Sequence, residues 1–159
     1  MNKILVFVIM AFILSACTSP TLTSPDPDLR REAVDLKAGE EGASMASRFM
    51  ELLDKDPDNL VRAQCAHYLG RFKCKEALPL LLKLAEDKDV IIRQDVVWAL
   101  GEIGAPDSIE ALKLYLERLE AIEPTDKMIH YKWLESVEIT KKAIEKVKNK
   151  NQTEEKGAF

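Results

Sequence analysis

Side chains able to do chemistry are few in this chain. Cys17, Cys65 and Cys74 are candidate thiolate nucleophiles, metal ligands or disulfide partners, and His67 and His130 are candidate ligands or proton carriers. The two histidines lie 63 residues apart with no Cys/His cluster beside either, so no metal site is expected. Gly42-Ala43-Ser44-Met45-Ala46 approaches a nucleophile elbow but ends in Ala, and the strand and late histidine that the elbow needs are missing, so it reads as the start of a helix. Glu40, Glu41 and the Asp pairs read as capping and surface charges rather than general acids. The expectation is no catalytic residue, no cofactor, no metal and no enzymatic activity.

The elements that must carry these residues are bounded by composition. The chain has 159 residues, 23 Lys plus Arg against 27 Asp plus Glu, and a net charge of -4, which leaves no electrostatic footprint for nucleic acid. Only 6 Gly and 6% aromatic residues, beside abundant Ala, Leu, Glu and Lys, favour helices over a sandwich or barrel. One small domain with flanking segments is expected.

Residues 1–16 read as an export signal, with Lys3 followed by eleven apolar residues from Ile4 to Leu14. Eleven helical residues reach about 17 Å, short of a hydrocarbon core of about 30 Å, so the stretch does not span a membrane. Leu14-Ser15-Ala16-Cys17 resembles the lipobox of bacterial lipoproteins. That resemblance implies cleavage between Ala16 and Cys17 and a diacylglyceryl group on the Cys17 sulfur, making membrane lipid a partner of the chain. Thr18 in place of Asp implies the outer membrane, facing the periplasm, in a two-membrane envelope, and otherwise the outer face of the cytoplasmic membrane. Residues 17–28 contain three Pro and five Ser or Thr after Cys17, and read as a tether up to about 34 Å long. Cleavage removes Lys3 and makes the side-chain charge -5, so anionic lipid is not the anchor.

A shift of 31 residues aligns 56–86 with 87–117. Asp56/Asp87, Asp58/Asp89, Arg62/Arg93, Leu69/Leu100, Gly70/Gly101, Leu81/Leu112 and Glu86/Glu117 are identical, and most other pairs match apolar with apolar. Each unit has the punctuation of a helical hairpin. Asp56 is expected to cap a first helix with Pro57 at its first position, and Leu78, Leu81 and Ala85 form the stripe of a second. Asp107 with Glu110 resembles a capping pair for the matching helix of the next unit. A degenerate unit at 25–55 keeps Leu29, Arg31, Gly39, Ala46 and Leu53, with polar Asp35 and Lys37 as befits an end unit.

Asp-x-Asp-x-x-Val-Arg…Tyr-Leu-Gly in 56–70 and Asp-x-Asp-x-x-Ile-Arg…Ala-Leu-Gly-x-Ile-Gly in 87–104 resemble HEAT repeats of the phycobilisome-lyase type. The resemblance implies an all-α fold, a short α-solenoid of stacked hairpins, with an inter-repeat ladder formed by Asp58, Arg62, Asp89 and Arg93. It supplies no lyase chemistry. A long C-terminal capping helix is expected over about 125–148, with Ile129, Trp133, Val137, Thr140, Ile144 and Val147 on its seam, leaving the repeat domain at 29–148 and a frayed tail at 149–159. Seven Lys against three Glu between residues 127 and 150 read as a solvated face.

Two features stay open at this level. Cys65 and Cys74, nine residues apart, either form a disulfide tying the first helix to the next or remain independent thiols, one buried and inert. Trp98, at the unit position of His67, either packs on the terminal helix through Trp133 or joins Tyr115, Tyr131 and Trp133 in an aromatic patch for a partner. The reading is a non-enzymatic, lipid-anchored adaptor that docks an envelope protein or peptide, with no nucleic acid or metal. An accessory subunit or assembly factor of an envelope enzyme complex is the alternative, and a small enzyme the third reading.

Overall fold

The computed structural model describes residues 19–121 and 127–156, with the side chains of 127–133 and 154–156 left out of the description. The described elements are α1 (Pro27–Glu40), α2 (Ala46–Lys55), α3 (Asn59–Arg71), α4 (Leu78–Leu84), α5 (Val90–Ile103), α6 (Ser108–Glu120) and α7 (Lys127–Lys156), with short 3-10 turns at Gly42–Met45 and Lys75–Ala77. Among the described residues there is no strand. The fold is an all-α, HEAT-like solenoid, as the sequence predicts.

Odd-numbered helices form one layer and even-numbered helices the other. α3 packs on both α1 and α5, and α5 on α7, so the terminal helix continues the first layer instead of merely closing the end. Each second-layer helix leans most extensively on the first helix of the following unit, α2 on α3, α4 on α5 and α6 on α7. The fully buried side chains between the layers are Phe49 and Leu53 of α2, Val61 and Leu69 of α3, Leu81 of α4, Ile92 and Leu100 of α5 and Leu112 of α6. Val137, Thr140, Ile144 and Val147 of the predicted α7 seam are buried as well, joined by Ser136 and Ala143. Ile129 and Trp133 fall where side chains are not described.

Repeated small residues set how closely first-layer helices approach. A Cβ on Gly70 would lie 2.6 Å from the Ala99 Cα, and one on Gly101 would lie 2.6 Å from the Ala143 Cβ. Both glycines sit inside helices, where glycine costs about 0.5–1 kcal/mol relative to alanine, and contact with the next helix offsets that cost. Gly39, the matching residue of α1, has nothing within 4 Å of its would-be Cβ. Gly104 ends α5 in the left-handed conformation, φ 66°, with its N–H donating to the Leu100 carbonyl.

The Asp-x-Asp motifs divide their work differently from the expectation. Asp58, not Asp56, caps α3 by accepting from the Leu60 and Val61 N–H groups, and Asp89 caps α5 in the same way. The first Asp of each motif forms the ladder. Asp56 accepts a bidentate pair from Arg30 Nε and Nη2, both at 2.8 Å, and Asp87 accepts from Arg62 Nη2 at 3.0 Å. Asp56 and Asp87 also accept the N–H two residues on, at 2.9 Å each, which fixes the turn before the helix. A carboxylate cannot cap its helix and face back to the preceding unit at once, so two are needed. The rungs are therefore Arg30–Asp56 and Arg62–Asp87, while Arg31, one repeat before Arg62, pairs with exposed Asp28. Asp107 makes no capping bond to α6.

Both ends of the chain depart from the sequence reading. The expected tether at 17–28 is folded from Leu22 onward: Leu22 packs on the core, Pro27 opens α1 behind its cap Asp26, and Arg30 Nη1 holds the carbonyls of Ser24 at 2.8 Å and Pro25 at 3.1 Å. Arg30, 7% exposed, thereby uses its whole guanidinium on α1's own entry and on the next unit's turn. The expected tail at 149–159 is helical to Lys156. Lys150 reaches across to the Ile103 carbonyl at 2.7 Å, so the last turns of α7 have a partner on α5.

Two outcomes follow from this geometry. Gly101→Ala is expected to destabilise the fold by about 1–3 kcal/mol through overpacking against Ala143, whereas Gly39→Ala, in open space, is expected to stabilise by up to about 0.5–1 kcal/mol; thermal melts of the two variants check the contrast. Burial alone pushes the Asp87 carboxyl up, but the Asp89 N–H and the Arg62 guanidinium outweigh it and hold it below the ordinary carboxylate value. A carboxyl depressed in the folded state stabilises above its unfolded value and loses that contribution as pH falls through the folded one. The difference in melting temperature between wild type and Asp87→Asn is therefore expected to be largest at neutral pH and to shrink below about pH 4.

Candidate functional site

The outward side of the first layer carries a row of polar and aromatic contacts, one group between each pair of helices. Between α1 and α3, Asp35 accepts from Gln64 and from the Tyr68 hydroxyl, the latter at 2.7 Å. That bond raises the Tyr68 phenol above its usual value, burial adding to it. Between α3 and α5, His67 stacks on Trp98 with ring centroids 4.2 Å apart and planes 7° from parallel, while its Nδ1 lies 3.4 Å from Asp95 Oδ1. Burial pushes the Asp95 carboxyl up, against the opposing pull of His67. Between α5 and α7, Gln94 donates to Ser136, and Lys146 to Glu102.

Trp98 is half-buried, and beyond His67 it borders a groove of about 280 Å³ with Gly101, Glu102, Ile139 and Lys146. Gly101 lets α7 in, and the indole lies against Gly70, whose would-be Cβ is 3.0 Å from the Trp98 Cζ3. Tyr115 is only 4% exposed, under the Arg93 guanidinium at 5.9 Å from its ring centroid, and lines a different cavity of about 220 Å³ with Asp87 and Arg118. Trp98 and Tyr115 thus do not share one aromatic surface. The side chains of Tyr131 and Trp133 lie outside the described residues, and with them the expected Trp98–Trp133 contact. Cys17 and the cleavage site at Ala16 also lie outside them.

Cys65 and Cys74 are both buried free thiols, so the open disulfide question closes on the independent pair. Cys65 faces the core from α3, where burial pushes its thiol far up. Cys74, in the turn, donates its thiol to Glu76 Oε2 at 3.3 Å, and burial followed by that bond pushes it up too. Neither is a ready thiolate. His67 is held by Trp98 and Asp95 as described, and His130 lies where side chains are not described. Ser44, from the elbow-like stretch, sits in the 3-10 turn with its hydroxyl on the Glu41 carbonyl at 2.8 Å. Among the described residues no three His, Cys, Asp or Glu side chains gather as a metal site would require.

Sequence reasoning did not find the exposed apolar residues at the start of the first-layer helices. Leu60 of α3 is 42% exposed and Ile91, at the equivalent position of α5, is 40% exposed, with Val90 beside it at 49%. The repeat register carried the signal, since Leu60 and Ile91 are one unit of 31 residues apart. A second groove, of about 540 Å³, opens at the N-terminal end between Leu22, Ala33, Leu36 and Arg48.

Comparison with known proteins bears on the same residues. The HEAT-repeat family matches residues 46–120. The "Uncharacterized phycocyanin operon protein Y" of Pseudanabaena tenuis is 32% identical over 82 residues, covering 48% of this chain and 20% of that protein. Deoxyhypusine hydroxylase of Bos taurus is 30% identical over 76 residues, 46% of this chain and 25% of that protein. Deoxyhypusine hydroxylase of Candida glabrata is 30% identical over 92 residues, 57% of this chain and 29% of that protein. The chain thus spans between a fifth and under a third of the length of these curated relatives. The expectation of no enzymatic activity is corrected by these matches, because repeats similar to these occur in proteins named as an enzyme. A motif specific for helix packing constrains the scaffold and leaves the chemistry grafted on it free. Stacked hairpins, an Arg–Asp ladder and the family match fall on the same stretch, so residues 46–120 are similar to HEAT repeats in sequence and in fold.

Proposed function

We propose that this chain is a lipid-anchored HEAT-repeat docking protein of a bacterial cell envelope, engaging another polypeptide along the edge where its first-layer helices begin. The observation that carries the reading is the recurrence of exposed apolar residues, Leu60 and then Val90 with Ile91, at that edge in successive units. Single exposed apolar residues are common, but the same exposure repeated in register forms a strip that water does not favour and a partner can cover. The solenoid holds the strip rigid, so little order has to be created on binding.

The anchor in this reading is Cys17, supported by the resemblance of Leu14-Ser15-Ala16-Cys17 to a lipobox. No helix among the described residues is long and apolar enough to cross a membrane. Because folding begins at Leu22, only five residues (17–21) link the lipid to the domain, or about 16 Å of extended chain. The domain is then held with its N-terminal end close to the bilayer, and confinement to that surface raises its effective concentration near membrane-bound partners.

Mass analysis of the mature chain is expected to show an N-terminal Cys17 carrying a diacylglyceryl group, and Cys17→Ala is expected to release the protein from membranes. An unmodified thiol in wild type would remove the anchor. For docking, co-purification from detergent-solubilised membranes is expected to recover a defined partner with wild type and with Leu114→Glu, an exposed site on α6, but about tenfold less with Leu60→Glu or Ile91→Glu. Equal recovery with all four chains would remove the proposed edge.

A further inference from the structure

The ladder breaks at its last rung. Arg62 meets Asp87, which lies 25 residues further along the chain. The residue 25 positions beyond Arg93 is Arg118, standing one repeat after Asp87 where an acid would be expected. Arg93 Nη1 donates to the Asp87 carbonyl at 2.6 Å, and its guanidinium lies over the Tyr115 ring. Among the described residues it meets no carboxylate. The Asp87 carboxylate is already committed to Arg62 and to the Asp89 N–H.

The Tyr115 hydroxyl makes the same point independently. It is buried, on a side chain 4% exposed, and has no hydrogen-bond partner among the described residues. Such a group costs stability unless something meets it. Arg93, Tyr115 and Arg118 line one cavity of about 220 Å³, together with Asp87, Glu86 and Leu119. Arg118 has only a half-exposed contact with Glu86 at 3.5 Å, which solvent screens.

We propose that this cavity binds a carboxylate supplied by a partner polypeptide, an Asp or Glu side chain that completes the third rung between Arg93 and Arg118 and accepts the Tyr115 hydroxyl. A carboxylate is favoured over other anions because the two completed rungs are built for one. A planar guanidinium fork takes its two oxygens in parallel, as Arg30 takes those of Asp56. That the carboxylate comes from a protein rests on the docking reading above, whereas the carboxylate site rests on the ladder and the Tyr115 hydroxyl.

The test uses thermal melts of the full chain in detergent, comparing sodium acetate, N-acetylaspartate α-amide and sodium phosphate with sodium chloride at equal ionic strength. Both carboxylates are expected to raise the melting temperature by about 2 °C or more near 100 mM, by preferential binding to the folded state. The aspartate amide, which presents a side-chain carboxylate beside peptide groups, is expected to do so at lower concentration than acetate. Tyr115→Phe is expected to weaken the response several-fold. Arg118→Asp, which supplies the missing acid internally, is expected to raise the melting temperature without added carboxylate and to abolish the response. The site is overturned by responses that match chloride in every chain, or by an Arg118→Asp chain that is no more stable and responds like wild type. An equal response to phosphate overturns the carboxylate assignment, and a response equal for acetate and the amide overturns the polypeptide source. Because the probes are small molecules, failure of the docking edge leaves this result unaffected.

Discussion

The structure depends on how closely successive first-layer helices can approach. A two-helix unit buries its apolar faces only against neighbours, so the spacing between units decides whether there is a core at all. Gly70 and Gly101 let α5 and α7 come within contact of helix backbone, and the buried residues Val61, Leu69, Ile92 and Leu100 are packed on that spacing. Once the spacing is fixed, the bulky Trp98 has room only at the edge, flat against His67. α1, whose Gly39 meets nothing, lacks this close contact, and the Arg30–Asp56 pair and the Asp35 bonds add to the packing that joins it to the next unit.

That ion pair shows why charged residues can sit inside a repeat protein. A buried ion pair is tolerable only when its hydrogen bonds are filled, and Arg30 and Asp56 fill theirs with each other, two carbonyls and a backbone N–H. The same carboxylate that receives the preceding unit's arginine thereby sets the turn into the next helix. Packing between units and the local geometry of the turn are coupled through one side chain. Arg118 marks the place where the described chain stops supplying such an acid.

The amino-acid sequence by itself determined the helices, their pairing into units of 31 residues, and the glycine positions, because periodicity and repetition report packing that every unit must satisfy in the same way. It identified Arg62 as a ladder arginine but not its partner Asp87, and it did not find the Arg30–Asp56 rung. Either Asp of an Asp-x-Asp motif can cap a helix, and only the turn's conformation decides which one points back. Leu60 and Ile91 were equally ambiguous, since apolar spacing along a helix cannot say how wide the buried face will be.

Tertiary structure alone decided the rest. Ser24 and Pro25 look like parts of a tether until Arg30, several residues later, takes their carbonyls. Nine residues of separation left Cys65 and Cys74 undecided until one thiol faced the core and the other turned to Glu76. Trp98 and Tyr115 are both large aromatic residues near the C-terminal end, yet they line separate cavities. In each case the deciding contact lies off the helical period, where one-dimensional order carries no record of which groups meet.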